Sequence, residues 1–221
     1  MFSAPTRIAL LGVFIAIGVG HYAARQPQVV YAHTNRCVVE VVSFKPDGER
    51  LVVDGSGTGV FINRRGTVLT AAHVVDLSPI ATIVTADGVA HKYVRIAVDE
   101  KKDLALLVPI KKMRSPCVSV GNQPLIGDTV YVIGFPSGFD KVFTTGMVAG
   151  GKFRLVTSAP IAQGSSGGPV LDSVGELIGV VSVFYKPNRE VTVWQGFTGS
   201  TTYDNLTSFL GEYEPLTSKQ R

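Results

Sequence analysis

The chain has 221 residues, 45% of them apolar and only 17% charged, so it has material for a sizeable core and is not a disordered chain. Its formal charge of +4 is collected at the start: Arg7, Arg25 and Arg36 come before the first acid, Glu40, and the remainder carries 18 basic against 17 acidic residues. That near-neutral body gives no support to a nucleic-acid-binding module, and two cysteines are too few for a disulfide scaffold or a four-cysteine zinc site.

Ile8 to Gly20 is a run of thirteen uncharged residues preceded by Arg7. It is short for a spanning helix, which needs roughly 20 apolar residues, and fits the apolar region of a signal peptide. Gly18-Val19-Gly20 and Val30-Tyr31-Ala32 are the cleavage candidates. An uncleaved anchor extended through Ala24, or a buried core helix, is the alternative. The reading expects residues 1–36 to be leader or anchor plus linker, with everything from Cys37 onward working outside the cytoplasm, periplasmic, extracellular or tethered to a membrane by the N-terminal segment.

From Cys37 the chain breaks into short β-branched segments, beginning with Val38–Phe44, Val52–Val53 and Gly59–Ile62. They continue through His91–Val98, Leu104–Val108, Thr129–Ile133, Val142–Val148, Phe153–Thr157, Leu177–Phe184 and Val191–Phe197. Pro46-Asp47-Gly48, Asp54-Gly55, Asn63–Gly66 and Asp87-Gly88 read as turns between them. Many short strands at this spacing predict an all-β sandwich or barrel. A helix is expected only at the end, where Thr201-x-x-Asp204 resembles a capping box ahead of Leu206, Phe209 and Leu210. The stretch from Ser115 to Pro124 reads as the join between a first half, 37–116, and a second, 117–210, each with about six strands and followed by a tail, 211–221.

Three clusters ask for chemistry. Gly164-Ser165-Ser166-Gly167-Gly168-Pro169 is able to aim successive N–H groups into one concavity beside a serine hydroxyl. Taken alone it is equally a glycine turn between strands. Thr70-Ala71-Ala72-His73-Val74-Val75 sets a histidine after small residues, and a lone histidine is more often a core or surface residue. Asp103 opens the apolar strand Leu104–Leu107, where a carboxylate must find partners or water. Together they change meaning. A serine hydroxyl is a poor nucleophile unless an imidazole takes its proton, and the imidazole works best when a carboxylate orients it. The order His73, Asp103, Ser166 is one of the chain orders in which such sets occur.

On these residues the chain resembles the trypsin/chymotrypsin superfamily, and within it the HtrA-type (DegP-like) serine proteases, as a protease domain without PDZ domains. The likeness runs from Ser56 to Leu210 and includes Gly57-Thr58-Gly59, Thr70-Ala71-Ala72-His73, Asp103-Leu104-Ala105-Leu106-Leu107, Gly134-Phe135-Pro136 and the serine loop. It implies two six-stranded antiparallel β-barrels, a short C-terminal helix and a cleft between the barrels. It implies His73, Asp103 and Ser166 as catalytic residues, with the N–H groups of Gly164 and Ser166 as an oxyanion hole. Ser182 resembles the serine that supports the carboxylate in many members, or is an ordinary barrel serine.

The expected reaction is peptide-bond hydrolysis in unfolded or extended protein substrates through an acyl-enzyme, with no metal and no cofactor. Ile161, Val183 and Phe184 are expected in the substrate pocket with Ser182 beside them. No acid lies between Thr157 and Pro169, so an aliphatic residue is expected on the acyl side rather than Lys or Arg. The alternatives are a viral or phage processing protease with one dedicated cleavage sequence, and a non-catalytic binding module on the same fold. Ser165 stands where trypsin-like zymogens have Asp, and no activation sequence is recognisable. Cys37 and Cys117 are expected either as one bridge or as two unpaired thiols. No nucleic-acid partner is expected, and the oligomeric state is left open.

Overall fold

The computed structural model describes residues 26–76, 78–137, 139–182 and 198–214. Strand β1 (Val38–Asp47) buries Val39, Val41 and Ser43 and leaves Glu40, Val42 and Phe44 half-buried, the period of two expected of a sheet with one wet face. It pairs antiparallel with β2 (Arg50–Phe61), which leads into β3 (Val68–Thr70). After a 3-10 turn come β4 (Ile80–Val84), β5 (Ala90–Asp99) and β6 (Leu104–Pro109). These six strands close into a barrel in the order β1-β2-β3-β6-β5-β4, with β4 pairing back onto β1. Closure removes the exposed edges that an open sheet would present.

The second half repeats this connectivity. Strands β7 (Thr129–Gly134), β8 (Val142–Gly150), β9 (Leu155–Thr157), β10 (Pro169–Leu171), β11 (Leu177–Val180) and β12 (Thr198–Ser200) form a six-stranded sheet in the order β11-β10-β7-β8-β9-β12. A bridge between Val181 and Ser200 joins its two ends. The Thr201 N–H donates to the Val180 carbonyl at 2.8 Å and the Ser182 N–H to the Gly199 carbonyl at 3.1 Å beside it. The expected pair of six-stranded antiparallel barrels followed by a helix is therefore what the chain forms.

One core fills the first barrel around Phe61, Ile83 and Tyr93, and another fills the second around Val130, Val170 and Ile178. The largest lies between them, where Leu69, Leu104 and Leu106 meet Ile133, Leu171 and Leu177. Helix α2 (Tyr203–Glu212) covers this shared core with Leu206, Phe209 and Leu210.

Some expectations need correction. Asp54-Gly55 is not a turn: β2 runs through it, and Asp54 is the extra residue of a β-bulge, because Ser43 faces Gly55 while Phe44 faces Val53. The cap of α2 is Thr202, whose hydroxyl accepts from the Asn205 N–H at 3.2 Å, one residue later than read; the Thr201 hydroxyl donates to the Lys102 carbonyl instead. Phe153 is exposed on the bend before β9 rather than in the strand. The segment before Cys37, where the end of a leader or anchor and a linker were expected, forms a helix, α1 (Gln26–Thr34). It has no amphipathic stripe to announce it and is held from outside. Val30 and Thr34 are buried and lie near Gly175, and Gln26 Nε2 donates to the Ser173 carbonyl at 2.7 Å.

Cys37 and Cys117 are both free thiols. No helix among the described residues is long and apolar enough to cross a membrane. The Ile8–Gly20 run and the expected strand at Val191–Phe197 lie outside the described residues.

Candidate active site

Strand β3 ends at Thr70, and the chain continues through buried Ala71 and Ala72 into the 3-10 turn Ala72–Val74 that carries His73. The small side chains let this turn press into the first barrel while the His73 ring stays partly exposed. Arg95 of β5 steadies the turn, its Nη1 donating to the Val75 carbonyl at 2.6 Å and the Asp76 carbonyl at 3.0 Å.

Asp103 sits on the turn into β6 with φ of 54°, the one non-glycine residue in the left-handed region among the described residues. Aspartate tolerates this region better than most residues, yet the conformation is uncommon and costs free energy. Its carboxylate is buried and faces His73 with both oxygens: Nδ1 lies 2.9 Å from Oδ2 and 3.0 Å from Oδ1, and the His73 N–H donates to Oδ1 at 3.1 Å. Ser182 Oγ donates to Oδ2 at 2.6 Å. An ionised carboxylate only accepts, so a neutral His73 ring facing it carries its hydrogen on Nδ1 and keeps Nε2 as its acceptor nitrogen.

The serine loop comes from the second barrel and is set against the first. The Ser166 carbonyl accepts from the Thr58 N–H at 2.8 Å, and the Gly164 carbonyl from Thr58 Oγ1 at 2.8 Å. Only glycine suits positions 164 and 167. Both have positive φ, 94° and 84°, and a Cβ would fall on the Phe135 carbonyl at one and on the Thr58 carbonyl and Thr70 hydroxyl at the other. A Cβ on Gly57 would lie 2.7 Å from Val74 and 3.1 Å from the Ser166 carbonyl, which shows how tightly the His73 turn and the serine loop converge.

The Gln163 carbonyl accepts from the Ser137 N–H at 2.7 Å. Among the described residues the N–H groups of Gly164 and Ser166 donate to no carbonyl.

A histidine held by a carboxylate, on a turn that converges with a glycine-built serine loop between two barrels of like connectivity, is the setting in which the family comparison falls. The model of the trypsin-like peptidase domain matches residues 57–180, more than half of the chain. This chain belongs to that family. Among curated relatives of this trypsin-like domain, it is 33% identical over 153 residues to Protease Do-like 1, chloroplastic, of Arabidopsis thaliana, covering 62% of this chain and 35% of that protein. It is 30% identical over 189 residues to Serine protease HTRA1 of Xenopus tropicalis, covering 79% of this chain and 39% of the relative. It is 31% identical over 157 residues to a probable periplasmic serine endoprotease, DegP-like, of Brucella suis biovar 1, covering 65% and 30%. The trypsin-like chain thus spans well under half the length of the relatives it matches.

Of the residues singled out from sequence, His73, Asp103 and Ser182 are joined by hydrogen bonds, and Gly164 and Ser166 lie on the loop beside them. Ile161 is partly buried against the second-barrel core. Val183 and Phe184 lie outside the described residues. Sequence reasoning missed Thr58, which ties the serine loop to β2, and Arg154, whose Nη1 reaches Ser182. Thr58 stands in a Gly-Thr-Gly run that carries no local sign of its partner 106 residues away, and nothing local marks Arg154, since its partner is 28 residues away.

Proposed function

We propose that the chain is a serine endopeptidase that cleaves extended or unfolded segments of protein through an acyl-enzyme. The observation that supports this best is the two-oxygen contact of the Asp103 carboxylate with the His73 ring, on a turn that converges with the serine loop. In this reading Ser166 Oγ attacks the scissile carbonyl as Nε2 of His73 accepts its proton. Asp103 keeps the ring tautomer and stabilises the imidazolium, and the N–H groups of Gly164 and Ser166 bind the oxyanion. The imidazolium then protonates the leaving amine. A water molecule, deprotonated by the same nitrogen, releases the acid product.

The preference is for a small or medium aliphatic residue on the acyl side. Ala159 is fully buried, Ile161 is apolar and partly buried, and no carboxylate is contributed by residues 158–168. An extended substrate adds as a strand, using main-chain hydrogen bonds that do not read sequence. The site of action is outside the cytoplasm, in keeping with the uncharged Ile8–Gly20 run.

The test is hydrolysis of unfolded casein by the wild type and by Ser166→Ala. The variant should lose on the order of 10⁶-fold in turnover while keeping the native circular dichroism spectrum, the scale seen when a triad serine is removed. Equal activity in the two proteins would refute the nucleophile. One discrete cut in one protein, with casein untouched, would favour a dedicated processing role. Peptide-library profiling with dominant cleavage after Arg would overturn the aliphatic preference.

A further inference from the structure

We propose that Arg154 is a positioning residue for the Asp103 carboxylate, acting through Ser182; the proposal rests on the reading of His73, Asp103 and Ser166 as a triad. Arg154 Nη1 lies 3.1 Å from Ser182 Oγ and 3.3 Å from the Ser182 carbonyl, and Ser182 Oγ lies 2.6 Å from Asp103 Oδ2. A guanidinium only donates and an ionised carboxylate only accepts. The hydroxyl between them therefore has one orientation, accepting from Arg154 and giving its hydrogen to Asp103. The same Nη1 also engages the Ser182 carbonyl.

This matters because Asp103 holds a left-handed backbone, φ 54°, that its own chain does not favour. The short bond from Ser182 fixes the oxygen that also meets His73 Nδ1. Arg154 is in turn placed by the bend at Gly150-Gly151. Gly151 has φ of 117° and sits so close to the Arg154 carbonyl that no side chain fits there. The arginine stem passes over Gly199, where a Cβ would lie 3.6 Å from Cδ.

Arg154 also adds a permanent charge next to the pair. The other charged neighbour in the chain, Lys102, directs its Nζ to Asp99 at 3.2 Å and Glu212 at 2.7 Å. Among the described residues Arg154 is the cation bonded to Ser182, one hydrogen bond removed from Asp103, and Asp103 is the acid bonded to His73. A positive charge on the far side of the carboxylate works against the imidazolium. Removing it, or loosening the Ser182 hydrogen bond, makes the carboxylate a stronger partner for protonated His73. Both effects move the loss of activity in acid to higher pH.

The experiment is kcat/KM for unfolded casein against pH, with fluorophosphonate labelling in parallel, for the wild type, Arg154→Met, Arg154→Lys, Ser182→Ala and the double variant Arg154→Met/Ser182→Ala. Arg154→Met should lower kcat/KM about threefold to tenfold and raise the acid-limb midpoint by about half a pH unit, the size expected of one partly screened charge. Arg154→Lys should restore the wild-type midpoint, and Arg154→Met should cost less than about twofold on the Ser182→Ala background, since coupled residues do not add. If Arg154→Met loses the native circular dichroism spectrum, Arg154→Gln carries the same comparison. A profile that superimposes on the wild type overturns the proposal. So does a loss shared by Met and Lys with the midpoint unmoved, which would mark a merely structural arginine. A wild type that neither labels nor cleaves removes the triad reading itself, and this proposal with it.

Discussion

Thr58 carries more of the site than a Gly-Thr-Gly run suggests. Its N–H donates to the Ser166 carbonyl at 2.8 Å, its hydroxyl donates to the Gly164 carbonyl at 2.8 Å and accepts from the Phe135 N–H at 2.9 Å, and its carbonyl accepts from Thr70 at 2.7 Å. It is fully buried, so none of these groups has water as a substitute. Thr58→Val keeps the shape and leaves one backbone donor and one acceptor unpaired, at a cost of about 1–3 kcal/mol for each group. Urea denaturation should show a lower midpoint with unchanged slope. Casein hydrolysis should slow by more than the fraction unfolded accounts for, because the serine loop has lost its tie to the first barrel. A variant as stable and active as the wild type would remove Thr58 from the account.

Among the elements, α1 is the clearest case of structure set by tertiary contact. Its residues carry no periodic stripe, and what holds it is Val30 and Thr34 against the β10–β11 turn, together with Lys141. That side chain donates to the Asn35 carbonyl at 2.5 Å and the Val38 carbonyl at 2.8 Å. Val30→Ala should cost about 1–3 kcal/mol, read as a fall in the thermal midpoint. The junction of α1 and β1 also stores a pH dependence. Burial pushes the Cys37 thiol up to about 12, with Cys117 adding to the effect. The folded state then resists ionising a thiol that the unfolded chain ionises near 9. That share of stability is complete below about pH 9 and is lost as pH rises toward about 12, at roughly 1.4 kcal/mol per unit. Cys37→Ala should therefore flatten the alkaline fall in urea stability between about pH 9 and 11, where the wild type declines. In the native protein at pH 8, iodoacetamide should leave Cys37 unmodified.

The elements also show what could be read in advance. Apolar β-branched runs marked most strands, because a strand's period is local. Asp54-Gly55 misled because the same residues serve a turn and a bulge, and only the partner strand, Ser43 and Phe44, decides between them. The three residues expected to do the chemistry stood out because each sits in a compact motif of unusual composition. Arg154 and Thr58 did not, because their roles consist of contacts made across 28 residues in one case and 106 in the other.

At the scale of the whole molecule, the two halves have like connectivity and share one core. Asp103 and His73 come from the first, Ser166 and Ser182 from the second, so the site exists only while the halves are packed together. Leu104, next to Asp103 and fully buried in the shared core, is where packing and chemistry meet. Leu104→Ala should cost about 2–5 kcal/mol. Its casein hydrolysis and its circular dichroism signal should disappear at the same urea concentration; activity lost well before unfolding would mean that the halves separate independently.

The central claim is that one hydroxyl, Ser166, is made nucleophilic by His73. Labelling with a fluorophosphonate followed by peptide mass spectrometry tests it most directly. The account predicts a single adduct on the peptide containing Ser166 in the wild type, with none after His73→Ala or Ser166→Ala. An adduct on another residue, or one that persists on Ser166 without His73, would contradict it.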